Sequence, residues 1–123
     1  MYDAREFPLH TGGNVYYNGA RPYSKEANPF TLSGSDPKPA ISDEGGSVYL
    51  HLTLWKKMQK AATSLVTTDI LGKAKVPGLA YENTDGSPLV ITTDYFGKKR
   101  NATGPSAGPF ENPGTGKLVL KVW

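Results

Sequence analysis

The sequence predicts an all-β fold: short strands in a small, mainly antiparallel sheet or sandwich, with one or two β-helix-like coils and at most a short helix near 56–62. Two observations carry this prediction. Glycine and proline, 14 and 10 of 123 residues, make up about a fifth of the chain against roughly 12% in an average protein. Such dense punctuation favours short strands joined by turns over long helices. Two segments, Val48 to Trp55 and Lys117 to Trp123, also alternate apolar and polar residues, the period that places one row of side chains on each face of a strand.

Residues 1–46 read as a loop-rich N-terminal segment with one short strand, Asn14 to Asn18, between Gly12-Gly13 and Gly19. From Arg21 to Gly46 the chain carries Pro22, Pro29, Pro37 and Pro39. Proline removes a backbone donor and biases its predecessor to extended geometry. An ordered but irregular excursion held by Phe30, Leu32 and Ile41 is expected here, with a solvated linker as the alternative.

Residues 47–123 read as the β-sheet domain, and the whole chain as one compact unit. In the Ser47–Trp55 strand, Val48, Leu50, Leu52 and Leu54 form the core face; Tyr49, His51, Thr53 and Trp55 form the other. Lys56 to Ala62 contains good helix formers but no N-cap residue, so a helix there depends on packing. Thr63 to Asp69 is β-branched and reads as a strand. Lys73 to Tyr81 is extended, broken at Pro77-Gly78. The turn signal Asn83 to Pro88 launches a strand from Leu89 to Thr93. The closing strand, Lys117 to Trp123, turns Leu118, Leu120 and Val122 toward the Val48–Leu54 row.

Composition excludes several function classes. There is no cysteine, so neither a disulfide framework nor a thiolate zinc site is possible. Net charge is +3, with basic residues clustered only at Lys56-Lys57, Lys73/Lys75 and Lys98-Lys99-Arg100. That is too sparse a stripe for a nucleic-acid reader, although mild positive charge also suits uronic-acid polymers. No apolar run approaches the ~20 residues of a membrane span. Met1 to Glu6 lacks the basic-then-apolar pattern of a signal peptide.

Chemical signatures are sparse. His10 and His51, the two histidines, fall in a loop and a strand, so no metal is expected. No nucleophile elbow or phosphate loop is present, and no cofactor is expected. Glycosidases need two carboxylates about 5 to 9.5 Å apart. With eleven acidic residues, some pair meets that distance by chance, so no catalytic residue is assigned.

The aromatic residues carry a binding reading, because flat rings stack on the apolar faces of sugars while polar tips hydrogen-bond. Tyr49, His51 and Trp55 share one face of the best strand. Tyr95 and Arg100 join them as candidate binding residues for a polysaccharide or oligosaccharide. A role in the core or as caps is the alternative for the rings. In the segment Thr92 to Asn101, Asp94 can accept backbone N–H groups across a turn, Gly97 permits positive φ, and Arg100 can fork onto a carboxylate such as Glu111. Arg100 as a solvated charge is the bland alternative.

The string Thr93 to Arg100, followed by Pro105 and by Ala107-Gly108-Pro109-Phe110-Glu111, resembles the end of bacterial right-handed parallel β-helix proteins of the pectate-lyase-like group from Bacteroidetes. Gly12-Gly13-Asn14-Val15-Tyr16-Tyr17-Asn18-Gly19 similarly resembles their Asn-rich final coils. The resemblance implies a non-catalytic C-terminal capping or accessory module of a polysaccharide-degrading protein, with glycan contacts as an added role. It implies an upstream β-helix domain, in a longer chain or a partner subunit, and a periplasmic or extracellular location. A polysaccharide lyase or glycoside hydrolase component acting on plant or host glycans is the alternative. No catalytic residue carries over, since the family's catalytic positions lie on coils upstream of this region.

Overall fold

The computed structural model describes residues 10–123. The fold is mainly β, as expected, with an antiparallel three-stranded sheet and little helix. It begins with a feature of the opposite sense. Strands β1 (Val15–Tyr17) and β2 (Phe30–Leu32) run parallel, Val15 opposite Phe30 and Tyr17 opposite Leu32. A further parallel bridge joins Gly12 to Ala27. Parallel strands usually need a long crossover, most often helical. Here the connection is a loop that turns at Asn18 and Gly19, both with positive φ. The chain therefore completes one flat coil and lies down beside itself in the same direction.

The sheet has the order β3-β4-β5, formed by β3 (Ala40–Asp43), β4 (Val48–Leu54) and β5 (Gly116–Lys121). Leu50 faces Leu120 and Leu52 faces Leu118, so the two leucine rows meet across the ladder as their spacing predicts. Coil and sheet join at one end of that row. Leu32, Leu54 and Met58 are buried there, with Val15, Tyr17, Phe30, Leu52 and Leu118 packed around them. Val15 and Tyr17 alternate with Tyr16, so Tyr16 points away from this core.

Three expectations need correction. The excursion from Arg21 to Gly46 contains two strands, β2 and β3, and only part of its anchoring holds. Leu32 is buried and Phe30 half-buried, but Ile41 is 65% exposed, because β3 is an edge strand whose apolar row has no cover at that point. Thr63 to Asp69 is not a strand. Its last residues start a one-turn helix, α1 (Thr68–Leu71), whose N-cap Thr67 accepts the Ile70 N–H at 3.3 Å. Threonine's side-chain oxygen makes it a cap as readily as a strand residue. Leu89 to Thr93 pairs only through single bridges, Val90 with Thr67 and Thr93 with Lys99.

The short helix after β4 is present as a 3₁₀ helix, Lys56–Lys60, without a side-chain cap and with Met58 buried. Packing by Met58 replaces the missing cap. Among the described residues no helix is long and apolar enough to cross a membrane.

Candidate functional site

The Asp94 turn is built as its residues dictate. Asp94 Oδ1 accepts the N–H groups of Phe96 and Lys98 at 2.9 and 2.8 Å, and Gly97 takes φ 75°. Its second oxygen, Oδ2, accepts the Glu111 N–H at 2.8 Å. The Glu111 bond, followed by those of Lys98 and Phe96 and the Arg100 charge, holds the Asp94 carboxyl below its usual range against a partial desolvation that pushes it up.

Arg100 does not fork onto Glu111 as expected. Its Nη1 and Nη2 donate to the Ser106 and Gly108 carbonyls at 3.1 and 2.9 Å, and Nε donates to Thr93 O at 3.3 Å. Glu111 Oε2 lies 3.8 Å from Nη1, an ion-pair distance rather than a bidentate one. Glu111, 3% exposed, instead accepts the Ser106 N–H at 2.9 Å and Asn112 Nδ2 at 3.2 Å. Lys98 Nζ donates to the Glu111 carbonyl at 2.9 Å. The guanidinium is thus spent on closing the 105–108 loop.

Three rings sit on this clamp. Phe96 stacks on buried Phe110 with centroids 5.1 Å apart, and Tyr95 meets both edge-on. The Tyr95 hydroxyl donates to the Val122 carbonyl at 2.5 Å, pinning the turn to the segment that follows β5. Tyr95, Phe96 and Trp123 remain more than half exposed.

Tyr49 and His51 lie two apart on β4 and share a face. Both are half-buried. Ser42 donates to Glu44 Oε1 at 3.3 Å, and His51 Nε2 lies 2.8 Å from Ser42 Oγ. Trp55 falls beyond the strand and turns to Tyr17, with ring centroids 5.8 Å apart. The five candidate residues therefore fall in three places: Tyr49 with His51, Trp55 beside the coil, and Tyr95 with Arg100 on the clamp.

A fourth place was not singled out by sequence reasoning. On the outward side of the coil, Glu26 Oε1 accepts Asn14 N–H at 3.2 Å and Asn14 Nδ2 at 2.8 Å, and Oε2 accepts the Tyr16 hydroxyl. Partial desolvation pushes the Glu26 carboxyl up, but the Tyr16 and Asn14 hydrogen bonds together outweigh it and hold it below its ordinary value. The same bond raises the Tyr16 phenol. The alternation of Tyr16 against Val15 and Tyr17 was the available signal, but it gave no hint that Glu26 lies beside it. Asn14 also borders an open groove of about 770 Å³ between the coil and the 105–108 loop, with His10 at its rim and Arg100 in its wall.

No family model matches the chain, and no curated protein matches it. The fold does match a solved structure, that of XylC in complex with xylose. The two share 36% identity with a TM-score of 0.81 over 91% of this chain. That region is 17% of the XylC chain, so the present chain spans less than a fifth of the protein it resembles.

Proposed function

We propose that this chain is the end-capping segment of a longer or multi-subunit carbohydrate-active protein of the β-helix type, with glycan contacts of its own. The observation that carries this reading is the parallel β1–β2 pair. Phe30 N–H donates to the Asn14 carbonyl at 2.9 Å. In a parallel ladder this directs the even-numbered residues of β1 to β2 and leaves Val15 and Tyr17 presenting their amides to the opposite edge. Among the described residues no further strand pairs with that edge, and Val15 to Tyr17 include neither lysine nor proline, two of the devices that normally guard an edge strand. The edge has the form of a rung awaiting a neighbouring coil. On this reading the antiparallel sheet and the Asp94–Glu111 clamp form the end of the stack. The likeness to a xylose-bound protein of much greater length supports both halves of the reading, and an exported location follows from polysaccharide as the substrate.

The test is the state of the chain in its host. An antibody raised against residues 10–123 should detect a polypeptide several times 13.3 kDa, or a stable complex of that size under native conditions. A free monomer of this mass in the host would overturn the proposal.

A second reading, a lyase or hydrolase component, is favoured by one observation. Glu26 is a carboxylate held ionised by Tyr16 and Asn14 beside a groove, which suits a base or a hydroxyl acceptor rather than a proton donor. A glycosidase would need a second carboxylate opposite it. Release of reducing ends or unsaturated products from xylans and pectins, abolished by Glu26→Gln, is the outcome this reading requires.

A further inference from the structure

We infer that the outer face of Phe96 is a stacking site for a neutral, equatorially substituted pyranose, one unit of a β-1,4-linked xylose-type chain. The inference rests on the carbohydrate reading above and names a site for it. Phe96 lies nearly parallel to Phe110, 20° between planes, and Phe110 is buried. One face of Phe96 is therefore backed by the protein, and the ring is still 51% exposed. The open area is its other face. Tyr95 stands at 79° to it, with a centroid distance of 5.2 Å, and so flanks the face without covering it.

The platform is rigid. The Phe96 N–H is held by Asp94, and the Tyr95 N–H donates to the Pro109 carbonyl at 2.9 Å. The Tyr95 O–H is engaged as donor to Val122 O, so its oxygen lone pairs are acceptors for a sugar O–H. A preformed aromatic floor with an acceptor at its side loses little entropy on binding. Trp123, 79% exposed, directly follows the residue that Tyr95 holds.

Charge decides the class of sugar. Acidic glycans are bound by free guanidinium or ammonium groups. Here Arg100 donates to three carbonyls, and Lys98 Nζ donates to the Glu111 carbonyl. These two cations are turned inward, which leaves Lys99, exposed three residues beyond Phe96, as the outward cation of the turn. A neutral pyranose with equatorial hydroxyls offers the flat C–H face that such a ring accepts.

The experiment is titration of the full chain with xylohexaose and with hexagalacturonate, read by NMR at the Phe96 and Tyr95 rings and by calorimetry. Xylohexaose should shift the Phe96 ring protons first and bind more tightly than the uronate. Phe96→Ala should weaken binding about tenfold or more, and Phe96→Trp should retain it. Unshifted Phe96 protons in the wild-type chain overturn the site without requiring any variant to fold. Binding of xylohexaose that moves only Asn14 and Tyr16 resonances overturns this site while sparing the carbohydrate reading. Preference for the uronate overturns the neutral-sugar assignment. Self-association that Phe96→Ala abolishes, with no sugar binding, makes the patch a protein interface instead.

Discussion

The Asp94 side chain and the Glu111 backbone are joined by a 2.8 Å hydrogen bond, and through it one carboxylate organises both the 94–100 turn and the 105–112 loop. The other oxygen of Asp94 already holds Phe96 and Lys98. This single side chain therefore sets the height and tilt of the aromatic platform.

Acid should loosen the clamp. The Asp94 carboxyl is depressed from 3.8 chiefly by the Glu111 N–H. A depressed folded-state value means a stabilisation fully present above the unfolded-state pKa and lost as pH falls through the folded one. Thermal melting followed by circular dichroism should show stability falling below about pH 4. In Asp94→Asn that slope should flatten, and melting at neutral pH should already be lower.

Arg100→Ala removes the donors to Ser106 and Gly108 and the charge beside buried Glu111. It should cost about 2 kcal/mol in urea unfolding. Arg100→Lys should recover only part of this, because an ammonium cannot span two carbonyls in the plane that a guanidinium does.

Two glycines separate backbone strain from crowding. Gly97 has φ 75° with open space where a Cβ would go, so Gly97→Ala should cost only the left-handed penalty of about 1–2 kcal/mol. Gly13 has φ 68°, and a Cβ there would meet the Ala62 carbonyl oxygen at 2.9 Å. Gly13→Ala should be the more destabilising of the two in the same urea assay and should disturb the groove wall.

Sequence reasoning reached the strands whose pattern was strict. The leucine rows of β4 and β5 met on the predicted faces because period-two alternation leaves one choice of face. The Asp94 turn was also legible, since Asp, Gly and Arg have few alternative uses at those spacings. The failures are physical too. Thr67 could serve as strand or cap, and tertiary context chose the cap. Arg100 met carbonyls where a carboxylate was expected, because the loop glycine and serine bring their backbone within reach first. Glu26 stayed hidden because its partners Asn14 and Tyr16 reach it only through the coil's return, a contact that no local pattern encodes.

Tyr16→Phe should move Glu26. With the phenol donor gone, the desolvation that pushes the carboxyl up is opposed only by the Asn14 and Thr11 hydrogen bonds. The Glu26 pKa, followed by carboxyl carbon NMR, should rise toward or past its ordinary value of 4.5. An unchanged value would mean that the Tyr16 contact does not persist in solution.

The outer edge of β1 is where a neighbouring coil would add, and amide hydrogen exchange reads that edge residue by residue. In the isolated chain the Val15 and Tyr17 amides should exchange at rates near those of an open loop, while Tyr16 and Phe30, bonded within the coil, are protected. In the gene product purified from its host, Val15 and Tyr17 should become protected as well. Protection of both amides in the isolated chain, or exposure of both in the host form, would contradict a coil end built to receive a neighbour.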